Sequence, residues 1–367
     1  LIATAQRPII LAGHGVILAE AYDELRAFAE RTDIPVSTTL LGISAFPESH
    51  PLSIGWPGMH GRLEVNQALH HSDLIVAIGM RFDDRVTGNT SHFAPHAQLI
   101  HIDIDPSEMG KVFTPTVPLV ADARTALRAL LAVVSPTQHA GWQQQIQDWR
   151  VAAPRVIIHT PDDPTPQPFD ILAAIRQATD GRGTIVTDVG QHQMWTAGFY
   201  GFDHPNTHLT SGGLGTMGYA LPAAMGAAMG RPGEAIWVIA GDGGIQMNIQ
   251  ELATIVGLDL PIKVAILNNG YLGMVRQWQE FFHQGNYSET RITGPDYVKL
   301  AEAYGAAGFQ VRQGSDVAAT VAQAMRIAGP VIIDFVIEQQ ANVLPMVPPG
   351  KANIDMIQPP PTTGAHA

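Results

Sequence analysis

No cysteine occurs anywhere in the 367 residues. Disulfides, thiolate metal sites, iron–sulfur clusters and cysteine nucleophiles are therefore excluded, and acid–base or metal chemistry falls to the fifteen histidines, the carboxylates and the amides. Charge is scarce as well, at 15% of residues, and positive charge scarcest: 21 Lys and Arg against 33 Asp and Glu leave a formal net charge of −12. No basic cluster offsets that balance, so no nucleic acid and no anionic membrane surface is expected as a partner. No apolar run approaches the ~20 residues that span a bilayer, so no membrane insertion is expected. The opening Leu1-Ile-Ala-Thr-Ala has the features of neither a signal nor a transit peptide. A cytoplasmic location is expected, with a further domain upstream of Leu1, which is not an initiator residue.

What the chain does have is apolar mass, 46% of residues, and many tight connections, with 36 Gly and 27 Pro. A disordered chain is excluded, and the length favours two domains. Short apolar runs alternate with helical patterns, which predicts parallel sheets covered by helices. In the first half, strands are expected at 8–12, 35–39, 74–78 and 99–104, with helices over 19–32, 63–70 and 124–134. In the second, strands are expected at 184–189, 235–240, 263–267, 308–311 and 331–336. The expected fold class is α/β: two doubly wound parallel-sheet domains, 1–135 and 168–345, joined by a long Pro-rich linker, 136–167. A polar helical patch near Trp142–Arg150 is read as part of that linker, crossing the surface. Residues 346–367 are too rich in proline for regular structure and are expected to form a flexible tail.

Chemistry concentrates at strand ends in the second domain. The run 235–240 leads into Gly241-Asp242-Gly243-Gly244, and the run 263–267 into Asn268-Asn269. Between them Ile249, Leu252, Ala253 and Val256 recur with helical spacing, predicting a crossover helix from about Asn248 that brings the two polar ends side by side. A carboxylate and an amide oxygen suit Mg²⁺ or Ca²⁺ and leave room for phosphate oxygens. Gly241, Gly243 and Gly244 allow main-chain N–H groups to approach such a ligand. Either piece alone also reads as an Asp-Gly turn or a helix cap.

Taken together, the segment from Gly241-Asp242-Gly243 to Asn268-Asn269 resembles the thiamine diphosphate and Mg²⁺ motif of thiamine-dependent enzymes. The resemblance implies Asp242, Asn269 and the carbonyl of Tyr271 as metal ligands. Gly190-Gln191-His192-Gln193-Met194-Trp195 resembles the diphosphate loop of biosynthetic acetolactate synthases, implying that Gln191 and His192 donate to phosphate oxygens; a helix-capping histidine is the alternative. Ser211-Gly-Gly-Leu-Gly215-Thr-Met217-Gly-Tyr is similar to the same family, implying that Gly215 lies against the cofactor and Met217 supports its bent form, although a Met in an apolar stretch also serves as core filler. Met274-Val275-Arg276-Gln277-Trp278 completes the likeness and implies that Trp278 lines the pocket for the second 2-keto acid, with a merely packed aromatic as the alternative.

In the first domain, Gly58-Met59-His60-Gly61, the stretch Gly79-Met80-Arg81-Phe82-Asp83-Asp84-Arg85-Val86-Thr87-Gly88 and His101-Ile-Asp103-Ile-Asp105 resemble the FAD-binding central domain of these synthases. The resemblance implies FAD, without a net redox role, against Gly13, Gly15, Leu41, Met59, His60, Gly79, Arg81, Arg85, Asp103 and Asp122. Asp83 and Asp84 could instead pair with those arginines at the surface. The implied activity is decarboxylation of pyruvate and condensation with pyruvate or 2-ketobutyrate. A homo-oligomer and a regulatory subunit are expected by the same analogy. The family's catalytic Glu lies on an N-terminal domain that nothing in these residues matches, so this chain alone is expected to be inactive. The alternatives are another thiamine diphosphate carboligase or oxidase, and a non-catalytic cofactor-binding or assembly fragment.

Overall fold

Uninterrupted apolar runs such as Pro8–Ala12, Leu74–Ile78 and Ile236–Gly241 are buried along their whole length. Strands of that kind are stable only where both sheet faces are covered. The computed structural model describes residues 1–153 and 164–359 and resolves them into two units, each a parallel six-stranded sheet flanked by helices.

In the first unit the strands are β1 Pro8–Ala12, β2 Val36–Thr38, β3 Ser53–Gly55, β4 Leu74–Ile78, β5 Gln98–Asp103 and β6 Val117–Val120, in the spatial order β3-β2-β1-β4-β5-β6. Alternate residues feed two cores. Ile10, Ala12, Val76 and Ile78 pack on one side, and Ile9, Leu11, Ile75 and Ala77 on the other. The chain leaves β1 toward β2 and returns to β4 on the other side, so strand order reverses between β1 and β4. That reversal opens a ligand crevice at the strands' carboxyl ends.

Two expectations are corrected here. The polar patch near Trp142 is the helix Ala140–Ala152, and it does not cross the surface as linker: Trp142 and Ile146, four residues apart on one face, are buried in the second of those cores. The Trp142 indole N–H donates to the carbonyl of Pro8 at 3.1 Å. The expected linker residues 154–163 lie outside the described residues. The segment after Pro345 is also not a flexible tail over its described part. Met346 and Ile357 form an antiparallel bridge, Met346 and Val347 are buried, and the Val347 N–H donates to the carbonyl of Met59 at 2.8 Å. Residues 360–367 lie outside the description.

The second unit contains β7 Thr184–Thr187, β8 His208–Thr210, β9 Ile236–Gly241, β10 Ile262–Asn268, β11 Ala307–Val311 and β12 Val331–Val336, ordered β11-β12-β10-β9-β7-β8. Here the reversal falls between β7 and β9. The crossover from β9 to β10 differs from the expected helix. It begins at once with Asp242–Ile245, kinks at Asn248, and ends as Leu252–Gly257, burying Leu252 and Ile255 while Ala253 stays exposed.

Candidate functional site

The ends of β7, β9 and β10 are adjacent, and their loops form one cluster in the second unit. Asp242 and Asn269 are both buried there. The Gly270 N–H donates to Asp242 Oδ2 at 3.0 Å, which fixes the turn after β10 onto the carboxylate after β9. Asn269 Oδ1 accepts the Tyr271 N–H at 3.1 Å, a local turn that needs no particular side chain at 271. Burial pushes the Asp242 carboxyl up to about 6; main-chain N–H groups oppose the rise and nearby Asp334 adds to it. The Tyr297 hydroxyl donates to the Asp242 carbonyl at 2.9 Å, and burial raises that phenol's pKa.

The glycines have measurable reasons. A Cβ on Gly241 would sit 3.0 Å from His192 Nδ1, one on Gly243 would meet Leu272, Ile292 and Met217, and one on Gly244 would lie 2.5 Å from Asp188 Oδ1. Met217 is thus placed against the Asp242 loop, whereas Gly215, with φ +63°, is exposed. His192 is wedged between Gly190 and Gly241, its Nε2 buried and without a protein partner. Burial lowers its pKa to about 4 against the opposing pull of Asp188, so the ring is neutral near pH 7.

Gln191 differs from the expectation that its side chain donates to phosphate. Its Nε2 donates to Gln277 Oε1 and to the Ala341 carbonyl, each at 2.9 Å, and its Oε1 accepts from Asn269 Nδ2 at 3.2 Å. Both amide hydrogens are committed to protein groups. The helix Gln191–Phe199 starts at this loop, and the first main-chain N–H groups of a helix point outward as donors.

Sequence reasoning missed Asp188 and Gln277. Asp188, at the end of β7, accepts from Val189, Gly218 and Ala220 N–H groups and so holds the segment carrying Met217. Its position at a strand end was the available signal. Trp278 is half-buried on the helix Gly273–Phe282, its ring edge-on to Phe282 at 5.3 Å.

These residues fit a metal diphosphate. Among the described residues no cluster of three or more His, Asp or Glu side chains could hold an ion. A carboxylate, a carboxamide and a main-chain carbonyl leave positions that only ligand oxygens or water would complete. The desolvated Asp242 and the orphaned His192 Nε2 agree with an anion and cation entering together.

In the first unit, of the implied flavin residues Gly13, Gly15 and Gly79 meet at the β1/β4 reversal, whereas Asp103 ends β5 and Asp122 follows the edge strand β6. A Cβ on Gly13 would lie 2.3 Å from the Gly79 carbonyl oxygen, and one on Gly15 2.6 Å from Gly79 Cα, so these three glycines let the two loops touch each other. His14 Nδ1 lies 3.0 Å from the Leu41 carbonyl. The Met59 N–H donates to the Arg85 carbonyl at 2.9 Å. His60 is held neutral, with burial first and Arg85 second lowering its pKa to about 4. Arg81 and Arg85 are exposed and pair only loosely with Asp83 and Asp84, at 3.8 and 3.4 Å. Asp103 and Asp122 accept from nearby main-chain N–H groups, Asp122 as a helix cap. No described helix is long and apolar enough to cross a membrane.

Residues 1–130 match the central domain of thiamine pyrophosphate enzymes, and residues 188–335 match their C-terminal thiamine pyrophosphate-binding domain. The chain is 45% identical to an acetolactate synthase large subunit of Corynebacterium glutamicum over 97% of its own length and 58% of the relative's. It is 45% identical to an acetolactate synthase of Mycobacterium leprae, covering 98% of the chain and 59% of the relative. An isozyme 3 large subunit of acetolactate synthase from Escherichia coli is 38% identical over 94% of the chain and 62% of that protein. The chain thus spans about three fifths of the relatives it matches.

Proposed function

Since the chain belongs to the thiamine pyrophosphate enzymes, carrying their central and C-terminal domains, we propose that it is the corresponding part of an acetolactate synthase catalytic subunit. The reaction is the condensation of pyruvate, after loss of CO₂, with pyruvate or 2-ketobutyrate. The observation that carries this reading is the convergence of Asp242 and Asn269 at adjacent strand ends, stapled by the Gly270 N–H.

Bound thiamine diphosphate supplies the electron sink for decarboxylation and carbon–carbon bond formation. The protein's share is placement. Asp242 Oδ, Asn269 Oδ1 and the Tyr271 carbonyl hold Mg²⁺. Gly241, Gly243 and Gly244 let the Asp242 loop pack closely on His192, Met217 and Asp188, and the buried, neutral His192 offers its unpartnered Nε2 to the diphosphate. Met217, braced through Asp188, sets the position of the cofactor's rings, and Trp278 borders the acceptor. FAD is assigned to the first unit around Gly13, Gly79, Met59 and His60, with Arg81 and Arg85 free to swing onto its diphosphate.

Catalysis by these residues requires the carboxyl-bearing domain that the family resemblance places on a neighbouring chain, which makes a homo-oligomer part of the proposal. A regulatory small subunit follows from the large-subunit names of the relatives. The test is product analysis on the encoded protein with pyruvate, thiamine diphosphate, Mg²⁺ and FAD. Acetolactate is expected, and a 2-ketobutyrate adduct when that acid is added. Tight thiamine diphosphate binding with decarboxylation but no condensed product would replace this reading with a decarboxylase or oxidase.

A further inference from the structure

Gln277 has no exposed surface, and its amide is bonded on both sides. Its Oε1 accepts the Val343 N–H at 2.7 Å, and its Nε2 donates to the Val343 carbonyl at 3.0 Å. A main-chain N–H can only donate, so the Gln277 atom facing it must be oxygen. That same oxygen lies 2.9 Å from Gln191, whose facing atom must then be nitrogen. Nitrogen there also suits the Ala341 carbonyl, 2.9 Å away. Gln191 therefore turns its oxygen to Asn269, and Asn269 must answer with Nδ2, at 3.2 Å. What Asn269 has left is Oδ1, whose orientation the Tyr271 N–H independently agrees with.

From this chain of forced amide orientations we infer that Gln277 is a positioning residue which, through Gln191, makes Asn269 present oxygen rather than nitrogen to a divalent cation. The inference rests on the proposed Mg²⁺–diphosphate site and adds to it a device that starts at the main chain of Val343. A flipped carboxamide would aim a partly positive NH₂ at the ion, which no rotation of Asp242 could offset. Gly273 belongs to the device too: a Cβ there would lie 2.1 Å from Gln191 Oε1 and 2.8 Å from Asn269 Nδ2, so only glycine leaves the two amides room to meet. The same helix also carries Arg276, whose guanidinium bonds the Ala341 carbonyl at 3.0 Å and Asn342 Oδ1 at 2.7 Å. Residues 341–343 are thereby held as a rigid reference for the amides.

The test compares Gln277→Met, which keeps length and volume but offers no strong acceptor, with Gln277→Glu, which keeps an acceptor for Gln191 in either protonation state. Mg²⁺ is titrated calorimetrically into the encoded protein at fixed thiamine diphosphate, and cofactor-free melting is recorded beside it. Gln277→Met should raise the Mg²⁺ concentration needed for half-saturation by about tenfold or more, the range found when groups supporting a metal ligand are removed. Gln277→Glu should restore most of the affinity. Gln191→Met, which breaks the next link, should repeat the loss and serves if Gln277→Met fails to fold. Wild-type affinity in both Met variants would overturn the positioning role. A wild-type protein that takes up no Mg²⁺ with thiamine diphosphate would overturn the site assignment itself.

Discussion

Both carboxylate oxygens of Asp188 face the main-chain N–H of Gly218, at 3.0 and 3.1 Å, and Oδ2 also accepts from Ala220 at 3.0 Å. One buried side chain thus closes the start of the helix Ala220–Gly230 onto the end of β7. Asp188→Asn would put an NH₂ among donors that already point inward. The cost of leaving a buried N–H unpaired is roughly 1–3 kcal/mol. Urea unfolding followed through the buried Trp195 and Trp237 should show a loss of that size. No change would mean that the Met217 segment is held by other contacts.

Asp242→Ala should abolish Mg²⁺-dependent binding of thiamine diphosphate while leaving the sheet intact. The carboxylate also accepts the Gly270 N–H, so a modest fall in melting temperature is expected with it. Calorimetric titration of the cofactor in the presence and absence of Mg²⁺ checks this. Unchanged metal-dependent affinity in the variant would remove Asp242 from the ligand set.

How much of this was legible in the sequence depends on how far the deciding contact lies along the chain. Runs such as Leu74–Ile78 were readable because five successive apolar residues have few uses besides a doubly covered strand. The edge strands β3 (Ser-Ile-Gly), β6 with its Pro118, and β8 (His-Leu-Thr) escaped because they are short and mixed in polarity. The helix Ala140–Ala152 was readable in part. Its composition is polar, but Trp142 and Ile146 at i and i+4 mark a buried face. At the site, Asp242 and Asn269 stood out because their strands announce where they end. The partners of Gln191 did not, because Gln277 and Ala341 lie 86 and 150 positions away. Amides that distant carry no local pattern.

His60 offers a pH test of the first unit. Held neutral with a pKa of about 4 in the folded protein, against ~6.5 when unfolded, it binds more protons unfolded than folded between those values. Stability contributed at this position therefore rises with pH from about 4 to 6.5 and is constant above, with a slope of at most about 1.4 kcal/mol per pH unit. Replacement by Gln should flatten that part of the stability curve relative to wild type. Parallel curves for the two proteins would show that His60 takes up its proton as freely as in the unfolded chain.

Anchoring of the segment after Pro345 predicts slow hydrogen exchange at Val347, whose N–H is bonded to the Met59 carbonyl. Met346 is fully buried. Met346→Ala should therefore cost about 2–5 kcal/mol in the opening free energy read at that amide. Exchange at the intrinsic rate in the wild-type protein would return this segment to the status of a loose tail.

Trp278 separates a substrate contact from a packing contact. Its ring meets Phe282 edge-on at 5.3 Å, and a pair of that kind contributes roughly 0.5–1.5 kcal/mol. Trp278→Leu should therefore lower stability slightly whatever else the residue does. If the half-buried indole also borders the acceptor, the variant loses a wall that distinguishes acids differing by one methylene. Such a wall is worth ~1–3 kcal/mol, so preference for 2-ketobutyrate over pyruvate should fall by about tenfold or more. The measurement is competition between the two acceptors in one reaction, with the ratio of products read against wild type. Competition cancels differences in enzyme concentration and in the shared first step, so only acceptor choice moves the ratio. An unchanged ratio alongside the expected small loss of stability would assign Trp278 to packing against Phe282 alone.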